Sequence, residues 1–169
     1  MVVLSKEEIR RLIIEKGLVR DYIDLETQLQ PYGFDCTLRK VSKIVGDGRV
    51  DFDNSERRIP ETMEIEFEKD WIFLEKGCYR VTLNEIVSIP KNITAIGKPR
   101  SSLVRSGATV LTAVWDAGYT GRSEVGLVVY NERGIWLKKN ARIVQLIFLK
   151  LSEETEGYEG IYNFENILV

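Results

Sequence analysis

The most informative property of this sequence is the absence of histidine from all 169 residues. Catalysis by a Ser-His-Asp triad or by a Cys-His pair is therefore excluded. A zinc deaminase with the H-x-E and C-x-x-C signature is excluded as well. The two cysteines, Cys36 and Cys78, lie far apart in alternating, apolar surroundings, and we expect both to be buried free thiols. Any general base must then be a carboxylate, a tyrosine or a perturbed lysine.

The sequence also lacks a basic excess and a long apolar run. It has 24 Lys and Arg residues against 26 Asp and Glu residues, so its formal net charge is −2, unlike that of a surface that coats nucleic acid. No stretch approaches the roughly 18 apolar residues of a membrane span. The N-terminus does not show the charged-then-apolar order of a signal peptide. We therefore expect a cytoplasmic protein with no nucleic-acid partner and no membrane partner.

What the sequence does contain is one helix pattern followed by many short strand patterns. Residues 1–17 are predicted to form an N-terminal helix, because Ser5 and Glu8 have capping-box spacing and Gly17 follows the last apolar position. Beyond it, alternating runs are separated by Gly, Pro, Asn or Asp, which is typical of an all-β sandwich, barrel or jelly roll in a single domain. Residues 152–169 open with polar side chains, and we expect them to form a mobile C-terminal tail.

The stretch KPRSSLVRSG, residues 98–107, places two hydroxyl side chains, Ser101 and Ser102, between Arg100 and Arg105. The simplest interpretation is a turn that leads into a short helical turn with Ser101 as its cap. The flanking arginines favour a second interpretation. A helix start with free N–H groups and hydroxyls, next to guanidinium groups, is a common way to hold a polyphosphate.

The stretch VWDAGYTG, residues 114–121, places a single carboxylate, Asp116, among apolar residues. One interpretation is a β-hairpin whose turn uses Asp and Gly for their backbone preferences. In the other, Asp116 is a base that orients and deprotonates an attacking water. Tyr119 would then offer its ring face to a sugar or a base. The pattern alone does not choose between these interpretations.

Two further polar residues interrupt predicted strands. In FDCTLR, residues 34–39, Asp35 stands on the polar side of an alternating strand, where it would ordinarily be a solvated surface carboxylate. Beside a bound triphosphate it could instead accept hydrogen bonds from water bound to magnesium. In ARIVQLIFLKL, only Arg142 and Gln145 break the apolar run of a predicted core strand before its last lysine, so either could reach a site.

Together and in this order, RSSLVRSG, VWDAGYTG, VGLVVYN and ARIVQLIF resemble the dUTPase and dCTP deaminase family in its archaeal form. GFDCTLR resembles the first motif of that family. The similarity spans roughly residues 30–150, most of the chain. The resemblance implies a distorted β jelly roll, or β-barrel-like fold, and a homotrimer with active sites between subunits. It also implies a nucleoside triphosphate substrate bound to magnesium, Mg²⁺.

The resemblance further implies a role for each matching residue. Asp116 would activate the nucleophilic water, Tyr119 would pack under the deoxyribose, and Asp35 would hold a metal-bound water. The other matching residues would bind the substrate phosphates or brace the site: Arg100, Ser101, Ser102, Arg105, Gln145 and, in the tail, Tyr162.

The two branches of the family differ at a glutamate that deaminases use to move protons at the cytosine ring. In an alignment on Tyr130 and Asn131, Val128 occupies that position, and an alkyl group cannot transfer protons. Glu124 lies four residues earlier on the same strand face, so a different register would restore a deaminase. We therefore predict hydrolysis of dUTP to dUMP and pyrophosphate, with an Asp-activated water attacking the α-phosphorus. The alternatives are a zinc-independent dCTP deaminase and a non-catalytic nucleotide-binding jelly roll.

Two features depart from the family pattern. The glycine-rich fifth motif that closes over the phosphates in ordinary trimeric dUTPases is missing, and YEGIYNFENILV in its place resembles the tails of the deaminases. Trp115 precedes the aspartate where smaller aliphatic residues are common, and the sequence gives it no role.

Overall fold

A capped N-terminal helix and a curled antiparallel sheet dominate the computed structural model, which describes residues 2–168. Met1 and Val169, at the ends of the predicted helical region and the predicted tail, lie outside the described residues. In chain order the elements are β1 (Val2–Val3), α1 (Lys6–Lys16), β2 (Val19–Arg20), α2 (Leu25–Gln28), β3 (Leu29–Gln30), β4 (Gly33–Val45), β5 (Glu61–Ile65), β6 (Trp71–Leu74), β7 (Gly77–Ser88), β8 (Ile93–Pro99), α3 (Ser101–Arg105), β9 (Ala108–Leu111), β10 (Thr120–Val129), β11 (Ile135–Lys138) and β12 (Arg142–Lys150).

The helix α1 confirms the predicted capping residues, but it begins at Lys6, and the prediction of helix before Ser5 is wrong because Val2–Val3 form the strand β1. The Ser5 side chain accepts from the Glu8 N–H, while the Glu8 carboxylate accepts from the Ser5 N–H at 2.9 Å. The helix ends at Gly17, whose left-handed φ of 65° suits a residue without a side chain. Ile9 and Ile13 are buried, so the apolar face of the helix packs against the rest of the protein. Among residues 2–168, no helix is long and apolar enough to cross a lipid bilayer.

The main sheet confirms the all-β prediction, and its strands pair in the order β1-β12-β4-β7-β10-β9. All strand pairings among residues 2–168 are antiparallel. The long strand β4 joins two parts of this sheet, because it pairs with β12 from Phe34 to Thr37 and with β7 from Leu38 to Lys43. Its pairing with β7 shifts register after Leu38. A bulge of this kind bends a strand and increases its twist, so β4 curls the sheet into a half-barrel.

The two cysteines differ in burial. Cys36, in the first half of β4, is a buried free thiol, as predicted. Cys78 is a free thiol but is exposed, so the prediction that it would be buried is wrong. In the first half of β7 the buried positions are Tyr79, Val81 and Leu83, and the period-2 alternation turns Cys78 to the opposite face.

Glu85 lies fully buried in β7, beside the first half of β4. Its carboxylate accepts hydrogen bonds from the Thr37 N–H (2.8 Å), the Thr37 hydroxyl (2.7 Å) and the Gln28 amide (2.7 Å). The Gln28 amide also donates to the backbone carbonyl of Asp35 at 2.9 Å. Burial raises the pKa of Glu85 above its ordinary value, although these hydrogen bonds act in the opposite direction. The network ties α2 to the strand that carries Asp35.

Replacing Glu85 by glutamine is expected to lower the free energy of unfolding at pH 7 by about 1–3 kcal/mol, because the new amide N–H₂ must face one of three donors. Urea denaturation followed by circular dichroism measures this change. The control is Glu61→Gln on the exposed side of β5, which should change stability by less than about 0.5 kcal/mol. Equal stability of the two variants would contradict the role of the network.

The effect of Glu85→Gln on the free energy of unfolding is also expected to depend on pH. The folded state binds the Glu85 proton more tightly than the unfolded state, since the pKa is raised from 4.5. The stability contributed by this group is therefore present below the unfolded pKa and is lost as the pH rises through the folded pKa. The stability difference between wild type and Glu85→Gln should widen as the pH falls from 7 towards 4.5.

Candidate active site

A cavity of about 570 Å³ lies beside the turn that contains Asp116. Asp116 and Tyr119 contribute to its wall, and Tyr162 reaches it from the C-terminal segment. One side is apolar, with Ile44, Ile59, Leu111 and Val114 among its residues. The structure thus brings together three of the predicted site residues around a space that is large enough for a small molecule.

Backbone hydrogen bonds fix the turn at residues 116–118 in place. Trp115 and Ala95 of β8 exchange both backbone hydrogen bonds, at 2.9 and 3.0 Å. The Gly118 N–H donates to the carbonyl of Ile89 at 2.9 Å. Gly118 has a φ of 84°, and a Cβ atom there would lie 2.6 Å from the Cα of Gly157, so only glycine fits. Asp116 itself is exposed and borders the cavity.

Tyr119 is only 6% exposed, because the C-terminal segment covers it. Its hydroxyl donates to Glu165 at 2.8 Å and lies 2.9 Å from the Ser123 hydroxyl. The Tyr158 ring packs edge-on against it, with 5.9 Å between ring centroids. Burial raises the pKa of Tyr119 far above its ordinary value, so the phenol remains a hydrogen-bond donor at any physiological pH. Burial also raises the pKa of Glu165.

The C-terminal segment lies directly against the turn. The Tyr158 N–H donates to the carbonyl of Ala117 at 2.8 Å, and the Arg122 N–H donates to the carbonyl of Glu165 at 3.0 Å. The predicted mobility of residues 152–169 in solution stays a prediction. In the structure, the part that follows Gly157 forms one wall of the cavity.

A second cluster surrounds Asp35, whose side chain is completely buried. One carboxylate oxygen, Oδ2, accepts from Arg100 and, at 3.2 Å, from Arg142. Gln145 lies opposite Asp35 in the β4–β12 ladder. The expectation of a solvated carboxylate is wrong, because the first six residues of β4 are buried on both faces of the strand. Burial raises the pKa of Asp35, while the two guanidinium groups oppose this change.

The other oxygen of Asp35, Oδ1, is buried without a hydrogen-bond partner among the described residues. A buried acceptor of this kind suits the predicted hydrogen bond from a metal-bound water. No group of three or more Asp, Glu or Cys side chains in residues 2–168 is arranged to hold a metal ion by itself.

The short helix α3 follows Arg100, which is its N-cap residue. Arg100 makes no side-chain capping bond, and Ser101 is the first helical residue, so the expectation that Ser101 caps the helix is wrong. Ser101, Ser102 and Arg105 are all exposed. Leu103 is buried and anchors the helix, leaving these three polar side chains accessible beside Arg100.

The two clusters lie at opposite ends of β8. The hydrogen bonds between Trp115 and Ala95 place Asp116 beside Thr94, near the beginning of this strand. The six steps from Thr94 to Arg100, at about 3.3 Å each, separate the clusters by about 20 Å. None of Asp35, Arg100 or Gln145 lines the cavity beside Asp116. Within one chain, the carboxylate and the arginine therefore cannot contact the same phosphate group.

Ser123 and Glu165 were not predicted from the sequence as site residues, and no role was predicted for Trp115. The indole N–H of Trp115 donates to the Ser123 hydroxyl at 2.8 Å. The sequence pattern could have indicated Ser123, because it is a polar residue on the face of β10 that buries Val125 and Leu127. No such pattern could have indicated Glu165, since it lies 46 residues from Tyr119 in the sequence.

Comparison with known proteins identifies the family of this chain. A model of the dCTP deaminase-like family matches residues 3–151. The chain belongs to this family. Two relatives are the probable deoxyuridine 5′-triphosphate nucleotidohydrolase of Archaeoglobus fulgidus, 63% identical over 99% of both chains, and the deoxyuridine 5′-triphosphate nucleotidohydrolase of Methanocaldococcus jannaschii, 42% identical over 89% of this chain and 98% of that one.

A solved structure supports the fold of this dCTP deaminase-like chain. The 2′-deoxycytidine 5′-triphosphate deaminase of Agrobacterium tumefaciens superimposes with a TM-score of 0.66 over 86% of the chain, at 23% sequence identity. The chain spans 47% of the length of that deaminase. This likeness establishes the shared fold, in agreement with the resemblance seen in the sequence motifs.

The buried Asp35 cluster predicts a stability effect that an exposed ion pair would not show. Asp35→Asn removes the charge between two arginines and should lower the free energy of unfolding by roughly 2–4 kcal/mol. The matched control is Asp47→Asn, which breaks the exposed Asp47–Arg58 pair and should cost at most about 1 kcal/mol. Chemical denaturation of both variants makes the comparison. A smaller loss for Asp35→Asn than for Asp47→Asn would contradict the proposed packing.

Proposed function

We propose that this chain hydrolyses dUTP to dUMP and pyrophosphate. The relatives from Archaeoglobus fulgidus and Methanocaldococcus jannaschii, matched over nearly their whole lengths, support this substrate and this reaction through their names. The observation that carries the proposal is the position of Asp116, an exposed carboxylate on a hydrogen-bonded turn at the edge of the cavity.

The chemical step uses Asp116 as the group that orients and deprotonates a water. The water attacks the α-phosphorus in line, its proton passes to the carboxylate, and pyrophosphate leaves. The fixed turn matters because a base must stay within hydrogen-bond reach of the attacking water. Since the chain has no histidine, a carboxylate is the residue type best suited to this role at neutral pH.

The phosphates would be bound by the second cluster. Arg100 uses one guanidinium nitrogen for Asp35, so its other donors are left for phosphate oxygens. The hydroxyls of Ser101 and Ser102 are exposed next to it, and Arg105 and Gln145 complete the predicted set. A magnesium ion on the triphosphate would neutralise part of its charge, and Asp35 would accept a hydrogen bond from a water on that ion.

The separation of about 20 Å between the two clusters supports a site formed by two chains, with Asp116 from one subunit and Arg100 from a neighbour. We propose a homotrimer, the arrangement implied by the family resemblance. Three equivalent sites then follow from the symmetry, because each subunit offers one copy of each cluster.

The sugar would pack on the part of Tyr119 that lines the cavity. The Tyr119 ring would fill the space that a ribose 2′-hydroxyl needs. Backbone groups of the turn would bind uracil. Tyr162 would reach a phosphate from the C-terminal segment, since it also borders the cavity.

A second candidate function is deamination of dCTP, which one observation favours. Glu124 lines the cavity, whereas Val128 does not. However, Glu124 lies 3.5 Å from Arg80 in an ion pair and accepts from the Thr82 hydroxyl at 3.4 Å, so it already has partners. Incubation with dUTP or dCTP and magnesium separates the two functions, because hydrolysis releases pyrophosphate and deamination releases ammonia. Binding without either product would indicate the non-catalytic alternative.

Asp116→Asn is expected to lower kcat for dUTP by at least about 10³-fold, because an amide cannot accept the proton of the attacking water. KM should change by less than about fivefold, since the amide keeps the size of the side chain. Pyrophosphate release measures both constants, and Glu15→Gln on the exposed face of α1 is the control. Loss of dUTP binding with an unchanged kcat would contradict the role of Asp116 as the base.

Mixing two inactive variants tests whether the site is shared between chains. Asp116→Asn and Arg100→Gln chains are unfolded together, refolded at a 1:1 ratio and assayed. A shared site predicts recovery of roughly a quarter of the wild-type activity, because half of the chains supply an intact Asp116 and half of their neighbours an intact Arg100. Each variant refolded alone is the control. No recovery from a correctly assembled mixture would place both residues in one chain's site.

A further inference from the structure

We infer that Ser123 and Glu165 are positioning residues for the turn that carries Asp116, because they join this turn to the C-terminal segment through a continuous chain of hydrogen bonds. The inference builds on the proposed function, in which Asp116 acts on a bound nucleotide. The four members are Trp115, Ser123, Tyr119 and Glu165, linked at 2.8, 2.9 and 2.8 Å.

The direction of each hydrogen bond follows from the chemistry of the groups. The indole N–H of Trp115 can only donate, so the Ser123 oxygen accepts from it. A carboxylate can only accept, so the Tyr119 hydroxyl donates to Glu165. The Ser123 hydroxyl must then donate to the Tyr119 oxygen. The N–H or O–H group of each of these three donors is used. Hydrogen bonds that share one donor-to-acceptor direction strengthen one another.

Two members of this hydrogen-bonded series flank Asp116 in the sequence. Trp115 directly precedes Asp116 in the sequence, and Tyr119 follows the turn. The backbone of the C-terminal segment adds a second attachment, since Tyr158 donates to the carbonyl of Ala117. Removing a member in the middle of the chain would free the Tyr119 ring and the turn together. A misplacement of about 1 Å at a reacting group can cost about 100-fold in rate.

This series of hydrogen bonds also gives Trp115 a function. A smaller aliphatic residue at this position could exchange the same backbone hydrogen bonds with Ala95 but could not donate to Ser123. The indole ring therefore belongs to the same hydrogen-bonded unit as Ser123 and Glu165. Trp115, Ser123 and Tyr119 are all nearly inaccessible, so the hydrogen bonds among them are shielded from competing water.

Ser123→Ala and Glu165→Ala test this inference. Each is expected to lower kcat for dUTP by about 10- to 100-fold while the melting temperature shows that the protein is folded. Glu165→Gln keeps an acceptor for Tyr119 and should restore kcat to within about threefold of wild type. Glu159→Ala, an exposed carboxylate in the same segment, is the control. The double variant Ser123→Ala/Glu165→Ala should lose less than the product of the single effects, because both break the same chain.

Amide hydrogen exchange gives a readout that does not need activity. In Glu165→Ala, exchange at residues 116–120 should be at least about tenfold faster than in wild type, and Glu165→Gln should restore protection. The inference would be overturned if both alanine variants were folded and kept the wild-type kcat. It would also be overturned if the two single effects on kcat multiplied fully in the double variant, or if hydrogen exchange at residues 116–120 were unchanged in Glu165→Ala. If the wild-type chain does not cleave dUTP, the proposed function fails, and the exchange measurement alone decides the inference.

Discussion

The two backbone hydrogen bonds between Trp115 and Ala95 determine how this protein distributes its chemistry. They hold Asp116 at one end of β8, while the same strand ends just before Arg100 at the other. An extended strand has a fixed rise per residue, so the sheet itself holds Asp116 apart from the cluster proposed to bind phosphate. A site that uses both groups must then draw one of them from another chain. In the proposed function, the catalytic geometry and the assembly would both be consequences of this one pairing.

Much of the fold and of the site could be predicted from local patterns. The capping residues of α1, the alternation in the strands and the motif order all depend on neighbours in the sequence, and the structure confirms the all-β class. The burial of Asp35 could not be predicted, because alternation within one strand does not show that the first six residues of β4 are buried on both faces. The bond from Tyr119 to Glu165 joins residues far apart in the chain, and no local pattern indicates it.

Two residues of β10 show why hydrolysis and deamination are hard to separate on this fold. Glu124 borders the cavity, yet it is held by Arg80 and Thr82, so its carboxylate already has partners. Val128, which aligns with the glutamate of the deaminases, lies outside the cavity wall. The distinction between the two reactions depends on a few side chains of β10 and on what surrounds them. The shared fold does not decide it.

The contact between Gly118 and Gly157 has a consequence for the inheritance of this architecture. Two main chains approach closely at this point, and any side chain at residue 118 would collide with the segment that covers Tyr119. A descendant that replaced this glycine would have to route its carboxyl terminus along another path. The segment that follows Gly157 can therefore cover the cavity only while residue 118 is glycine. The two features are expected to be gained or lost together.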